Sequence, residues 1–222
     1  MICIPIMARD NDDALRKIAE AGPLADMLEI RLDAMEAFDL HELIGAAPKP
    51  VIVTYRSRRE GGLGRAGYGI RVQHLMTAVH AGAAFVDVEY SLPLEHRYRI
   101  LQHRGETGVI VSRHYPRGTP TEKSLKALLR DMAATGADLV KIVTMARTPR
   151  DDLRVLGLIP EADRLGIRII AFCMGPMGRI SRVATVPMGG YLTFASLENG
   201  QESAPGQFPA GTMKEIFEAL SS

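Results

Sequence analysis

The strongest constraint in this chain is an alternation. Eight short apolar runs recur along the 222 residues: ICIPIM (2–7), MLEIRL (27–32), VIVTY (51–55), AFVDVEY (84–90), GVIVSR (108–113), DLVKIV (138–143), IRIIAF (167–172) and YLTFA (191–195). They are rich in Val and Ile and have the length of buried parallel strands. Longer segments of helical periodicity separate them. Strands alternating with helices imply a parallel sheet covered by helices. Eight units of about 28 residues each favour a closed (β/α)8 TIM barrel, one domain over residues 1–222, trimmed below the ~250 residues typical of that fold. A doubly wound sheet is the alternative that the alternation leaves open.

Helix signals lie between the runs. Thr119-Pro120-Thr121-Glu122 offers Thr119 as an N-cap with Pro at the first helical position. Leu125, Leu128, Leu129 and Met132 then share a face, and Gly136 reads as the stop. Val72, Leu75, Met76 and Val79 form a second stripe, ending near Gly82. Thr148-Pro149 with Asp151 starts a third helix, carrying Leu153, Leu156 and Leu158, which Pro160 should kink or split. Residues 11–21, 37–46, 94–103 and 210–220, and a short segment near 177–186, complete the set.

Composition enters as exclusion. Lys and Arg total 27 against 26 Asp and Glu, so no basic excess suggests nucleic-acid binding. No apolar run approaches the ~18 residues of a membrane span, and residues 1–12 lack the pattern of a signal peptide. Cys3 and Cys173 form no CxxC, so reduced thiols in a cytoplasmic protein are expected. His41-Glu42 lacks a second His at ligand spacing, and no metal site is expected. The 27 cations divide unevenly, 21 Arg to 6 Lys.

In a barrel of this kind, the site is built at the C-terminal strand ends. Lys141, inside ADLVKIV, has the most apolar context of the six lysines. Its stem could pack while the amine pairs with an acid. Alternatively, burial and nearby cations depress its pKa and free an amine to attack a ketone. His114 alone of the six histidines ends a strand run, where it suits a general acid or base. Glu29, Arg31 and Asp33 alternate, so they share one side of a strand, as either a salt-bridge rim or a polar ligand site. Thr54-Tyr55-Arg56 precedes Glu60-Gly61-Gly62, and Asp87 and Glu89 alternate again. Residues 62–67, Gly-Leu-Gly-Arg-Ala-Gly, imitate a dinucleotide fingerprint. Arg56 to Gly61 intervene between strand and motif, so a flexible loop is the better reading. The long polar loop 198–209 after the eighth run suggests a lid.

Together these segments resemble type I 3-dehydroquinate dehydratase along essentially the whole chain. The resemblance is carried by Glu29-x-Arg31-x-Asp33, Thr54-Tyr55-Arg56-x-x-x-Glu60-Gly61-Gly62, Asp87-Val88-Glu89, Ser112-x-His114, Val140-Lys141-Ile142, Met174-Gly175 through Ser181-Arg182, and Ser203-Ala204-Pro205-Gly206-Gln207. It implies a (β/α)8 barrel that dehydrates 3-dehydroquinate to 3-dehydroshikimate in the shikimate pathway, with no cofactor and no metal. It assigns Lys141 to a Schiff base with the substrate ketone, His114 to proton transfer and Glu60 to orienting that histidine. Arg182 would hold the substrate carboxylate. Glu29, Arg31, Arg56, Ser203 and Gln207 would contact the ring hydroxyls and carboxylate. Family members are often homodimers, though no helix face here marks itself as an interface. Tyr115 stands where members often carry Asp after the histidine. Two other readings use part of the same pattern. A class I aldolase shares the lysine but has no use for Arg182 or Ser203–Gln207. A non-catalytic barrel module has no use for Lys141, His114 and Glu60 together.

Overall fold

A computed structural model describes residues 1–221. The eight apolar runs become eight parallel strands: β1 (Ile2–Ile6), β2 (Met27–Arg31), β3 (Val51–Thr54), β4 (Phe85–Glu89), β5 (Gly108–Tyr115), β6 (Leu139–Met145), β7 (Arg168–Met174) and β8 (Thr193–Phe194). Sequence neighbours pair from β1 to β7, and β1 also pairs with β8. The Tyr191 N–H, just before β8, donates to Ile169 O in β7 at 2.7 Å and brings the two ends of the sheet together. The result is a nearly closed (β/α)8 barrel, and the doubly wound alternative falls.

Helices cover the outside: α1 (Asn11–Ala21), α2 (Leu40–Ala46), α3 (Tyr68–His80), α4 (Leu94–His103), α5 (Glu122–Ala133), α6 (Pro149–Leu156), α7 (Leu158–Arg164), α8 (Arg179–Ala184) and α9 (Ala210–Ser221). Among the described residues, no helix is long and apolar enough to cross a membrane. Pro160 resolves as a split. The chain breaks at Gly157, and Pro160 falls in the first turn of α7, where its missing N–H has no partner to lose.

Three local expectations are corrected. Thr121, not Thr119, caps α5, accepting from the Ser124 N–H. The Thr119 hydroxyl is drawn away to Thr144 Oγ1 and Met145 O, a tertiary contact that outcompetes the local cap. Asp39 caps α2, so that helix begins at Leu40 and not at 37. Leu153 is 72% exposed, while Asp151, Asp152, Val155 and Leu156 form the inner face of α6.

The strands sort their side chains with period two. Ile4, Leu28, Val53, Val86, Val111, Ile142 and Ala171 face the helices and build the outer core. Their neighbours face inward, and the inward column changes along each strand. On β2 it reads Met27, Glu29, Arg31; on β4 Phe85, Asp87, Glu89; on β5 Ile110, Ser112, His114; on β6 Leu139, Lys141, Val143. The N-terminal floor is apolar, with Cys3, Met27, Ile52, Ile110, Leu139 and Ile170 packed together. The C-terminal mouth carries the charge.

Candidate active site

Lys141 sits midway up β6 and is 4% exposed. Its Nζ donates to Glu29 Oε1 at 3.3 Å and to Asp87 Oδ2 at 3.2 Å. It also lies 4.3 Å from the centre of the Phe194 ring. The acid-pairing reading of this lysine is therefore realised, and so is its exposure to a cavity: the amine lines the pocket at the barrel mouth. Pairing holds the amine in place without sealing it off.

His114 is two residues past Ser112, the residue in register with Lys141. Ser112 and His114 therefore both point into the barrel, as Lys141 does. Glu60 Oε2 accepts the His114 backbone N–H at 2.9 Å. The His114 ring Nδ1 stands 3.4 Å from the same oxygen, not aligned for a hydrogen bond. The other carboxylate oxygen takes the Ser91 hydroxyl at 2.6 Å and Arg113 Nη1 at 3.1 Å. Burial is the largest influence on the imidazole, and the Arg56 cation adds to it. Together they push its pKa down to about 4, and Glu60 offsets only part of this. The ring is neutral at pH 7, with a lone pair to offer. For Glu60, burial acts to raise the pKa, but His114 and Arg56 outweigh it and bring the group to about 2.

Arg56 stands behind this pair. Its Nη2 donates to Asp87 at 2.6 Å, and its Nη1 donates to Ser112 Oγ at 2.9 Å and to Glu89 at 3.4 Å. Burial alone would lower its pKa; Asp87, Glu89 and Glu60 reverse that and hold it above the usual guanidinium value. Asp87 is the mirror case. Burial would raise it, but Arg56 and Lys141 keep it well below the usual carboxylate range. A buried charge network is favourable only when every member is satisfied. Here Glu89 also takes Arg71 at 2.5 Å and Ser57 through both backbone and hydroxyl at 2.8 Å.

The salt-bridge reading of the Glu29–Arg31–Asp33 trio holds for two of its members. Arg31 and Asp33 form a bidentate pair at 2.9 and 2.8 Å, while Glu29 accepts from Thr54 Oγ1 at 2.8 Å and faces the cavity. Asp33 also accepts the backbone N–H groups of Arg56 and Leu63 at 3.1 and 3.0 Å. Those contacts correct the flexible-loop reading of 62–67. A Cβ on Gly62 would collide with Arg56 O and one on Gly64 with the Tyr55 ring, so these glycines permit a tight fold-back against the strand end.

Arg182, in α8, is 1% exposed. Its Nη2 donates to Pro205 O at 3.2 Å and its guanidinium lies 4.7 Å from the Phe172 ring centre. Nε and Nη1 are buried without a hydrogen-bond partner. Burial brings its pKa down to about 10, so the group remains a cation at neutral pH. The loop 198–209 folds over the mouth. Ser203 N–H and Gln207 Oε1 meet at 2.8 Å, and Gln207 Nε2 donates to Ser203 Oγ at 3.1 Å, so the two brace each other.

All nine residues singled out in the sequence line this one cavity: Lys141, His114, Glu60, Glu29, Arg31, Arg56, Arg182, Ser203 and Gln207. Phe172, Phe194 and Met174 join them as apolar walls, and Asp87 touches the lysine. Asp87 was visible as half of an alternating pair. The two aromatic rings gave no signal beyond that of ordinary core residues.

Fold and cavity thus define a (β/α)8 barrel that gathers its polar groups at the C-terminal strand ends. Comparison with known proteins narrows this. The family model described as type I 3-dehydroquinase matches residues 2–222. A 3-dehydroquinate dehydratase of Thermococcus gammatolerans is 36% identical over 220 residues, covering 99% of each chain. One from Desulfotalea psychrophila is 34% identical over 195 residues, covering 87% of this chain and 86% of that protein. The crystal structure of 3-dehydroquinate dehydratase from Geobacillus kaustophilus superposes with a TM-score of 0.90 at 32% identity, over 99% of this chain and 90% of that one. The chain belongs to the type I 3-dehydroquinase family.

Proposed function

We propose that this chain, acting as one catalytic barrel, dehydrates 3-dehydroquinate to 3-dehydroshikimate through an imine on Lys141. The observation that carries the reading is Lys141 Nζ itself: a buried amine open to a cavity, with Glu29 3.3 Å away and able to take the proton it must lose before attack. Nζ adds to the ring ketone. Loss of that oxygen as water leaves a protonated imine, which drains electron density from the neighbouring CH2 carbon. Neutral His114 takes a proton from that carbon, and the electron pair moves into the C–N system as an enamine. The enamine pushes out the hydroxyl on the next carbon, which leaves as water with the proton returned by His114. Hydrolysis of the imine restores the amine and releases product, so one water is lost overall.

Glu60 holds His114 through its backbone N–H and lies 3.4 Å from the ring Nδ1. Arg182 takes the substrate carboxylate on the guanidinium edge that Pro205 O leaves free, one unmet donor (Nε or Nη1) acting together with the second Nη2 hydrogen. Glu29, Arg31, Ser203 and Gln207 border the remaining ring. Arg56 borders it too, but its donors go to Asp87, Ser112 and Glu89, so its larger task is to hold those carboxylates ionised. A class I aldolase would leave Arg182 and the Ser203–Gln207 pair without work. The free, buried thiols of Cys3 and Cys173 suit a reducing cytoplasm. The family resemblance alone supports a homodimer as the assembly, and sedimentation as a monomer at micromolar concentration would remove that reading.

Borohydride trapping tests the chemistry. Incubation with 3-dehydroquinate and borohydride should add the reduced ligand's mass to the peptide containing Lys141. An unmodified Lys141 under turnover conditions sinks the mechanism.

A further inference from the structure

Over the mouth, the loop meets the barrel through the backbone of Pro205 and Gly206. Pro205 O accepts two hydrogen bonds, from the Gly175 N–H at 3.0 Å and from Arg182 Nη2 at 3.2 Å. Gly206, the next residue, has φ +84°, and a Cβ there would collide with Gly175 O and lie 3.0 Å from its carbonyl carbon. Gly175 has φ +86°, and a Cβ on it would lie 2.8 Å from Met145 Sδ. Gly206 approaches the Gly175 backbone this closely only because it has no side chain, while at Gly175 the positive φ and Met145 exclude one.

We infer that the Gly175–Gly206 contact is the clasp that docks the lid, and that Arg182 couples this clasp to the substrate carboxylate, making Gly206 a positioning residue for the reaction. The coupling follows from how Arg182 divides its donors. One fork atom already holds the lid carbonyl, while Nε and Nη1 are buried and unmet. A carboxylate chelated by one of these donors and the second Nη2 hydrogen fixes the guanidinium plane, and the fixed plane holds the other Nη2 hydrogen on Pro205 O. Lid docking in turn brings Ser203 and Gln207 to the cavity wall. Binding at one end of Arg182 and docking at the other therefore favour each other, as linkage requires. The inference rests on the proposed assignment of Arg182 to the substrate carboxylate.

A built-in control separates the clasp from ordinary loop strain. Gly200 lies in the same loop with the same φ, +84°, but a Cβ there meets nothing within 4 Å. Gly206→Ala should raise KM by about tenfold or more, with a smaller loss in kcat, whereas Gly200→Ala should stay within about threefold of wild type. The decisive measurement is hydrogen exchange at the amides of Ser203, Ala204, Gly206 and Gln207 on the borohydride-reduced Lys141 adduct, in which the ligand is covalently held whatever its affinity. Wild type and Gly200→Ala should protect these amides; Gly206→Ala and Arg182→Ala should leave them exchanging freely. Equal protection in Gly206→Ala and wild type overturns the clasp. Protection retained in the Arg182→Ala adduct overturns the coupling. Absence of any adduct in wild type instead removes the imine reading itself, so the two failures are distinguishable.

Discussion

The floor and the mouth of this barrel are made from the same strands, a few residues apart, and they follow opposite rules. At the floor, Met27, Ile52, Ile110 and Leu139 interdigitate with nothing polar to satisfy. One step of two residues further, Glu29, Thr54, Ser112 and Lys141 take their places. Burial is as complete above as below. What differs is the source of order: shape at the floor, and paired charge at the mouth. Apolar packing tolerates exchange of one aliphatic side chain for another of like volume. A buried ion network tolerates almost none, because each deletion strands a charge. The contrast shows how a barrel can change its chemistry at one end while its stability is kept at the other.

Substitutions can break this division. Lys141→Ala should have the largest effect, reducing turnover to background and abolishing borohydride trapping. It should still melt cooperatively, because Asp87 retains Arg56 and Ser112, and Glu29 retains Thr54. Loss of the fold in that variant would place stability in the mouth after all. His114→Ala should lower kcat by about 10² to 10⁴ while still forming the trapped imine. Full activity would strip His114 of its role.

A pH profile sharpens the same point. His114 acts as a base only when unprotonated, and its pKa is pushed down to about 4. The acid limb of kcat/KM should therefore fall as pH drops through about 4, with little loss near 6.5. An inflection near the ordinary imidazole value would mean that burial and Arg56 do not govern the ring. Ile110→Ala, at the floor, should have the smallest effect on turnover, leaving kcat within about twofold while costing about 2–5 kcal/mol of stability in denaturant melts. A large kcat loss there would show that floor and mouth are mechanically one unit.

The barrel was legible because period-two sorting and apolar runs are local signals. So was Lys141, since a lysine inside DLVKIV stands out against five others in helices or loops. What escaped was decided across the chain. Arg71 sits in α3, and nothing in its helical neighbours announces that its guanidinium reaches Glu89. Ser91 binds Glu60 from a turn with no motif. Thr119 carried every mark of a helix cap, yet Thr144, 25 residues away, claimed its hydroxyl. Leu153 had the right spacing for a buried stripe, but the split at Gly157 gives α6 only eight residues and a different inner face. Sequence pattern reports which side of an element is apolar; it does not report which distant polar group will reach in.

Arg56 has one more consequence, for how such a chain can change. It follows β3, yet its donors reach Asp87 and Glu89 of β4 and Ser112 of β5, so one side chain is answerable to three strands. Mutational paths through this region must be strongly epistatic. Asp87→Asn and Arg56→Met together should cost less than the sum of the two single changes, because the second removes the charge stranded by the first. Sequence drift at the mouth can then proceed only in correlated steps, while the floor a few ångströms below is free to drift one residue at a time.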